Sequence, residues 1–270
     1  MSRTAPLQST ARHPVLAAPW SWAVLGVVTG LFTTLVFYAP ASWLATALSS
    51  ATAAQVQLIE TRGTVWNGSG RLLLSGGQGS RDSAVLPGTL EWTVRPGLLA
   101  LNLEIRSTCC TPEPLQARLT QRWGRTTLDI KDGSSRWPAE LLAGLGTPWN
   151  TVQAEGVLQL LTQGLSLEWN EGRLALSGRA ELAVIAVSSR LSTLRPMGSY
   201  RLMLAGGITP TLELSTIEGS LQLSGSGSWV GSRLHFKGVA SAAPENEASL
   251  ANLLNIIGRR NGARSIISLG

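Results

Sequence analysis

The stretch GSLQLSGSGSWVGSRLHFKG, residues 219–238, alternates apolar residues with small or polar ones over two successive runs. The apolar positions in these runs are Leu221, Leu223, Trp229, Leu234 and Phe236. Because successive side chains of a β-strand point to opposite faces, this spacing places the apolar residues of each run on one face. Glycines punctuate the runs as they do in hairpins, so the stretch predicts two or three antiparallel strands with one buried face.

The same pattern recurs along most of the chain. GTLEWTVRP (residues 88–96) and GLSLEWN (residues 164–170) both alternate, and ARSIISLG (residues 263–270) is typical of a final strand. Five tryptophans fall within such runs or at their ends: Trp66, Trp92, Trp123, Trp169 and Trp229. The sequence therefore predicts a mainly β fold, in which an antiparallel, twisted, multi-stranded sheet forms a meander or roll with a few short helices.

The segment GTVWNGSG (residues 63–70) is close to a phosphate-binding loop but departs from it at two positions. Ser69 stands where the lysine is needed, and Gly70 where the metal-binding hydroxyl is needed. We interpret it instead as a hairpin turn, in which Asn67 and Gly68 supply the positive backbone dihedrals between two strands.

Three segments interrupt the strand pattern with helical signals. ASWLATALSSATAA (residues 41–54) predicts a short helix, and WPAELLAGLG (residues 137–146) predicts a two-turn helix. Near the carboxy terminus, residues 244–262 predict an amphipathic helix that closes on Gly258, Arg259 and Arg260. Its apolar positions are Leu250, Leu253, Leu254 and Ile257. This face either packs on the sheet of the same chain or serves as an interaction helix for a partner or a membrane surface.

The segment WSWAVLGVVTGLFTTLVFY (residues 20–38) carries no charge over nineteen residues and has the length of a membrane-spanning helix. The residues predicted to anchor it are Trp20, Trp22, Leu25, Leu31, Phe32, Phe37 and Tyr38. Arg3 and Arg12 precede it without an acid, which favours a cytoplasmic amino terminus and an exported remainder. A cleaved signal peptide is the competing interpretation, but the run is longer than a usual signal core and contains bulky aromatics.

The predicted organisation has four parts: a cytoplasmic leader (1–19), a transmembrane helix (20–38), a periplasmic linker or helix (39–54) and a periplasmic β-rich domain (55–270). Charged residues make up only 14% of the chain, against about 25% in an ordinary soluble protein. The net charge of +6 is scattered among interspersed acids and forms no basic stripe, so nucleic acid is not an expected partner.

Catalytic chemistry finds little support in the sequence. His235 is the only histidine after the apolar segment, and the alternation around it predicts a solvent-facing strand residue. The chain has no G-x-S-x-G elbow. We predict no enzyme, no catalytic residue, no cofactor, no metal site and no small-molecule substrate.

The two cysteines, Cys109 and Cys110, are adjacent. An oxidising compartment favours a disulfide, but neighbouring Cα atoms lie closer together than bridged cysteines usually do. Two ligands alone do not make a zinc site. A vicinal disulfide and two packed thiols therefore remain as alternatives, and geometry favours the thiols.

Five motifs in order carry a resemblance to a known family: GTVWNGSG, LPGTLEW (86–92), RPMGSYRLML (195–204), LELSTIEGSLQLSGSGSW (212–229) and LLNIIGRRNG (253–262). Together with the apolar segment before them, they resemble type II secretion system protein N, also called general secretion pathway protein N. The resemblance covers most of the chain after Pro40. It implies a single-pass protein of the bacterial inner membrane with a periplasmic domain, and an accessory role in the export of folded proteins.

The sequence and the resemblance together lead to an expected function. We expect a non-catalytic assembly component of the type II secretion system that contacts other components of the machine, in the inner-membrane platform, the periplasm or the secretin. A low-charge sheet with Gly- and Ser-rich edges would offer backbone for strand addition, or an apolar face. The rival hypothesis is an anchored module that binds or transfers lipids or other hydrophobic ligands.

Overall fold

The computed structural model describes residues 20–170, 173–231 and 233–270. The chain divides between Ala39 and Pro40 into two units. In the first unit, the structure describes helix α1 (Trp20–Phe37), which coincides with the predicted apolar segment. The predicted leader, residues 1–19, lies outside the described residues.

Among its described residues, the second unit is built on one sheet of sixteen strands, all paired antiparallel. The first eight are β1 (Val56–Gly63), β2 (Asn67–Ser75), β3 (Ser83–Val85), β4 (Leu90–Pro96), β5 (Ala100–Ser107), β6 (Leu115–Arg122), β7 (Arg125–Ile130) and β8 (Gly133–Pro138). The last eight are β9 (Glu155–Asn170), β10 (Arg173–Ser188), β11 (Gly198–Gly207), β12 (Thr211–Gly219), β13 (Leu221–Val230), β14 (Arg233–Ala242), β15 (Arg259–Asn261) and β16 (Arg264–Leu269). This confirms the mainly β, antiparallel prediction.

The strand order follows the chain with three exceptions. β3 pairs only with β2, β8 pairs only with β9, and β15 lies outside β16, so that β1 and β15 form the two edges. β9 has sixteen residues, and its side away from β10 is shared by β7, which pairs with residues 165–170, and β8, which pairs with residues 157–162. β9 is longer than the predicted run at residues 164–170, because bulges in its pairing with β10 let it continue past shifts of register.

Short helices cover one face of the sheet, which the alternating pattern makes apolar. They are α2 (Ala41–Ala51), a 3-10 helix (Ala139–Leu145), α3 (Trp149–Val152) and α4 (Glu247–Ile257). Ala41 of α2 packs with Leu90 and Trp92, and the leucines of α4 pack with Tyr200 and Leu221. The core is therefore a layer between this face and its helices.

Two helix boundaries differ from the predictions. Residues 137–146 predicted an α-helix, but Trp137 and Pro138 end β8, and the helix that follows is of the 3-10 type. Arg259 and Arg260, which were predicted to close the carboxy-terminal helix, instead form β15 with Asn261. Gly258 ends α4 with extended backbone, so the chain turns directly into a strand. The predicted helix over residues 41–54 and the final strand are both present.

Five of the described hairpin turns lie at one end of the sheet, which we call the tip end. The turns are residues 64–66, 97–99, 123–124 and 208–210, and the turn after Val230. Pairing of Pro96 with Leu101 and of Val230 with Arg233 continues each hairpin up to its turn. The chain also enters the sheet unit at this end, because Pro40 forms an isolated antiparallel bridge with Thr64.

The Gly- and Ser-rich strand β13 lies inside the sheet between β12 and β14. The expectation of Gly/Ser-rich edges is therefore wrong, since the edge strands read VQLIETRG and RRN. The glycines of β13 have a packing reason: a Cβ on Gly225 would lie 2.5 Å from Cζ of Phe236 on β14. Phe236 is buried against these bare backbone positions.

Tyr200 of β11 is 5% exposed and lies in the apolar cluster beneath α4, and burial raises the pKa of its phenol. Among the described residues, its buried hydroxyl has no hydrogen-bond partner. A buried donor without a partner loses its hydrogen bonds to water and forms none in the protein. The hydroxyl therefore destabilises the native state.

We expect Tyr200→Phe to raise the free energy of unfolding by about 1 kcal/mol at neutral pH. The gain should grow above about pH 10, because an unfolded tyrosine then ionises while the native one stays protonated, which destabilises only the wild type. Urea unfolding of the detergent-solubilised protein at pH 7 and pH 10.5 measures both effects. Tyr38→Phe, at the only other tyrosine and an exposed one, is the control; a loss of stability in Tyr200→Phe would contradict the expectation.

Candidate interaction surfaces

Helix α1 is the part of the described chain that is long and apolar enough to cross a membrane. It has no buried residue, and its apolar side chains point in every direction. The predicted anchor residues are all exposed: Trp20, Trp22, Leu25, Leu31, Phe32, Phe37 and Tyr38. A helix that is apolar all round needs an apolar surrounding, and a bilayer supplies one.

The apolar face of α4 is not a free interaction surface. Leu250 and Leu254 are fully buried, Leu253 is nearly so, and Ile257 packs against the same cluster. Of the two alternatives for this helix, packing on the sheet of its own chain is the one found. The proposal of a partner helix presenting these four residues is therefore wrong.

The predicted turn at Asn67 and Gly68 is displaced by a few residues. The hairpin is present, but its turn is residues 64–66, the positive φ falls on Gly63, and Asn67 begins β2. Gly68 is required for another reason: a Cβ there would lie 2.6 Å from Cζ2 of Trp92 and 2.7 Å from the carbonyl oxygen of Arg62. The glycine lets the buried indole lie against the hairpin backbone.

Cys109 and Cys110 form a vicinal disulfide, so the alternative that geometry disfavoured is the one present. The bridge lies in the turn between β5 and β6, where Thr111 Oγ1 accepts a hydrogen bond from the Ser107 amide at 2.7 Å. Cys110 is buried beside Leu86 and Leu141, whereas Cys109 is exposed. The pair thus closes a tight turn over one end of the core.

His235 lies on β14 opposite Ser228, on the face away from buried Phe236. It is exposed, as the alternation predicted.

The six ion pairs among the described residues, including Arg125 with Glu168 at 3.2 Å, lie on the surface and contribute little to stability. The charged groups of these six pairs are therefore surface groups rather than a convergent set.

A transverse row of leucines crosses the middle of the sheet, and sequence reasoning missed it. Its members face one another on five neighbouring strands: Leu101, Leu119, Leu128, Leu167 and Leu176. We call this set the leucine row. In the part of the chain that the structure describes, no apolar cluster under a helix includes it, and its side chains are half-buried or exposed. The alternation in each strand was visible, but the row depends on the register between strands.

The two edges of the sheet differ from each other. β1 has a register shift between Ile59 and Arg62, with Glu60 at a positive φ of 53°. At the other edge, β15 pairs with only three residues of β16, so the backbone of Ile267–Leu269 has no strand on its outer side among the described residues. Both edges carry backbone groups that an added strand could pair with.

In the described part of the chain, one apolar helix and the wide sheet define the class: a β-rich domain behind a candidate membrane span. The chain matches the family model for the type II secretion system (T2SS), protein N, over residues 54–267, and it belongs to that family. It is therefore a component of the type II secretion system, in a family of accessory components that is not a known enzyme family. No curated protein and no solved structure gives a significant match.

Proposed function

We propose that this protein is a non-catalytic assembly component that α1 anchors in the bacterial inner membrane, with the sheet unit in the periplasm. The observation that carries the proposal is α1 itself, which is apolar and exposed on every side. Arg3 and Arg12 precede the helix, so the positive-inside rule keeps the amino terminus in the cytoplasm. Membership of the secretion family supports partners within that machine.

The contact with other secretion components is expected at the sheet edges. Strand addition uses unpaired backbone groups for affinity and alternate side chains for specificity. The segment Ile267–Leu269, which extends beyond β15 next to the carboxy terminus, offers such backbone groups at alternate residues on its outer side. An extended segment of a platform, periplasmic or secretin subunit is the partner that this edge fits.

The test replaces residues 1–38 with a cleavable signal peptide, so that the sheet unit is exported without its anchor. Secretion of substrates into the medium should fall to about the level of a strain that lacks the protein, because a free domain loses the high local concentration that a membrane tether gives. Immunoblots must show equal amounts of exported domain. Replacing α1 by an unrelated single-pass helix of the same length and orientation is the matched control. Normal secretion by the anchorless strain would contradict the proposal.

The leucine row supports a second candidate, a module that binds lipid or another hydrophobic ligand. Five leucines lie side by side outside the helix-covered clusters of the described chain, and Leu101 is 37% exposed. Such a strip on a monomer marks a surface that something apolar covers.

Adjacent positions on β7 separate the two candidates. Leu128 lies in the leucine row, and Asp129 points to the opposite face. A photoreactive phenylalanine analogue at position 128 should crosslink to whatever covers the row in intact cells, while the same analogue at position 129 reports the other face. Phospholipid adducts specific to position 128 would support the lipid candidate. Adducts to a secretion protein at position 128 would support the assembly role.

A further inference from the structure

The hairpin turns of the tip end present large apolar side chains to solvent. Leu98, Trp123 and Ile208 are fully exposed, and Leu99 and Val230 are more than half exposed. Single exposed apolar residues are common on protein surfaces. Here, however, the four described tip-end turns after the first each have one, within the turn or, for Val230, at the strand residue directly before it. A repeated placement of this kind makes this end of the sheet a candidate binding surface, and its position relative to the rest of the chain decides which turns take part.

The chain from the membrane helix enters the sheet unit at the same end. α1 ends at Phe37, and Pro40 bridges to Thr64 in the first hairpin. Three residues of extended chain span at most about 11 Å. The chain therefore has at most this length between the end of α1 and the bridge at Thr64.

Two turns lie near this entry point along the sheet, and we call them the near turns: residues 97–99 between β4 and β5, and residues 123–124 between β6 and β7. They are two and four strands from the first hairpin, or about 10 Å and 19 Å at the usual strand spacing. The turns with Ile208 and Val230 are eight and ten strands away, or about 38 Å and 48 Å. Because twist accumulates from strand to strand, these far turns have rotated most from the direction of β1.

Arginines surround the near turns. Arg62 and Arg95 are exposed close to the first two turns, and Arg122 pairs across the sheet with Arg125 on either side of Trp123. Arg125 also holds an ion pair with Glu168. Tryptophan prefers the headgroup region of a bilayer, and guanidinium groups bind phosphate oxygens. Apolar tips with basic flanks are typical of protein surfaces that rest on anionic lipid.

We propose that the near turns insert Leu98, Leu99 and Trp123 into the headgroup region of the inner-membrane leaflet on the periplasmic side. The flanking Arg95 and Arg122 bind lipid phosphates, and the far turns stay in water. We choose the lipid bilayer as the occupant because only a short stretch of chain separates α1, once it spans the membrane, from the first hairpin at this end of the sheet. The inference rests on the proposed anchoring of α1, and it adds a second attachment that fixes which end of the sheet faces the bilayer.

The experiment uses the full chain in vesicles of phosphatidylethanolamine and phosphatidylglycerol. Leu98→Cys, Trp123→Cys and Ile208→Cys are labelled separately with an environment-sensitive fluorophore under non-reducing conditions, which keep the native disulfide closed. All three positions are fully exposed, so the substitutions do not disturb the core. Labels at 98 and 123 should be quenched by lipids with a nitroxide near the headgroup, and they should be about threefold less accessible to iodide than the label at 208.

Charge provides a second measurement on the same sample. In these anionic vesicles, the double variant Arg95→Glu, Arg122→Glu should raise the iodide accessibility of the label at position 98 toward that of the label at position 208, because its new charges repel the lipid. The pair Arg179→Glu and Arg190→Glu changes the same net charge away from the near turns and should leave the label unchanged.

Equal iodide accessibility at 98, 123 and 208, without quenching by the nitroxide lipids, would overturn the inference. A secretion protein that covers the near turns in cells would give this same result in vesicles of lipid alone. The outcome is separate from that of the anchor test: if secretion needs α1 but the labels stay in water, the assembly role stands and the second attachment is wrong. If the labels enter the lipid but the anchorless strain secretes normally, the assembly role fails instead.

Discussion

Leu254→Ala is expected to lower the free energy of unfolding of the sheet unit by about 3–5 kcal/mol. Leu254 is 0% exposed and belongs to the cluster that α4 forms with β11, β13 and β14. Removing its side chain loses the transfer free energy of the buried carbons and leaves a cavity under a helix that a sheet holds in place. Much of a domain's stability is of this size, so the variant should approach partial unfolding at 37 °C.

Ile256→Ala is the matched control, because Ile256 is two residues away on the same helix but 42% exposed. Its loss should stay below about 1 kcal/mol. Urea unfolding of the two detergent-solubilised variants, followed by tryptophan fluorescence, gives the comparison. Equal losses at 254 and 256 would mean that α4 does not pack on the sheet as described.

Trp92→Ala is the second change with a large expected effect, a loss of about 3–5 kcal/mol. Trp92 is 3% exposed, and it packs with Ala41 of α2 and with its neighbours on the sheet. Its Nε1 donates to the carbonyl oxygens of Thr64 and Val65, both at 3.2 Å. The indole therefore joins the first hairpin, the helix after the apolar segment and the sheet.

Two measurements separate this effect from a general loss of packing. Trp169→Ala should cost much less, because Trp169 is 39% exposed on β9. In addition, Trp92→Ala should make the first hairpin more sensitive to trypsin at Arg62, since the turn loses the indole that two of its carbonyl groups bind. Unchanged cleavage at Arg62 together with a small loss of stability would show that the indole does not hold the hairpin.

Local patterns in the sequence predicted several strands and helix α4 correctly. Alternation predicted the strands that contain Trp92 and Phe236, and the spacing of Leu250, Leu253 and Leu254 predicted α4. Alternation also placed His235 on the exposed face. These features follow from periods of two and of 3.6 residues, which a single strand or helix carries within itself.

Features that depend on contacts between distant segments were not predictable in this way. Asn67 and Gly68 match a turn signal, yet Gly68 is there to accommodate Trp92, which is 24 positions later in the chain. The position of β13 inside the sheet and the leucine row both depend on strand order and register, which alternation does not encode. Whether the apolar face of α4 packs on the sheet of its own chain also depends on residues of distant strands, which the sequence of the helix does not reveal.

The open sheet has a consequence for how many copies of the protein assemble. A sheet that does not close on itself can in principle grow by adding identical sheets side by side, as fibres do. Here one edge strand, β15, has only three residues, and the other, β1, is irregular at Glu60. Short or bulged edge strands disfavour such growth. We therefore expect the stoichiometry of this protein in the secretion machine to follow the number of its partners, because the protein has little capacity to polymerise with itself.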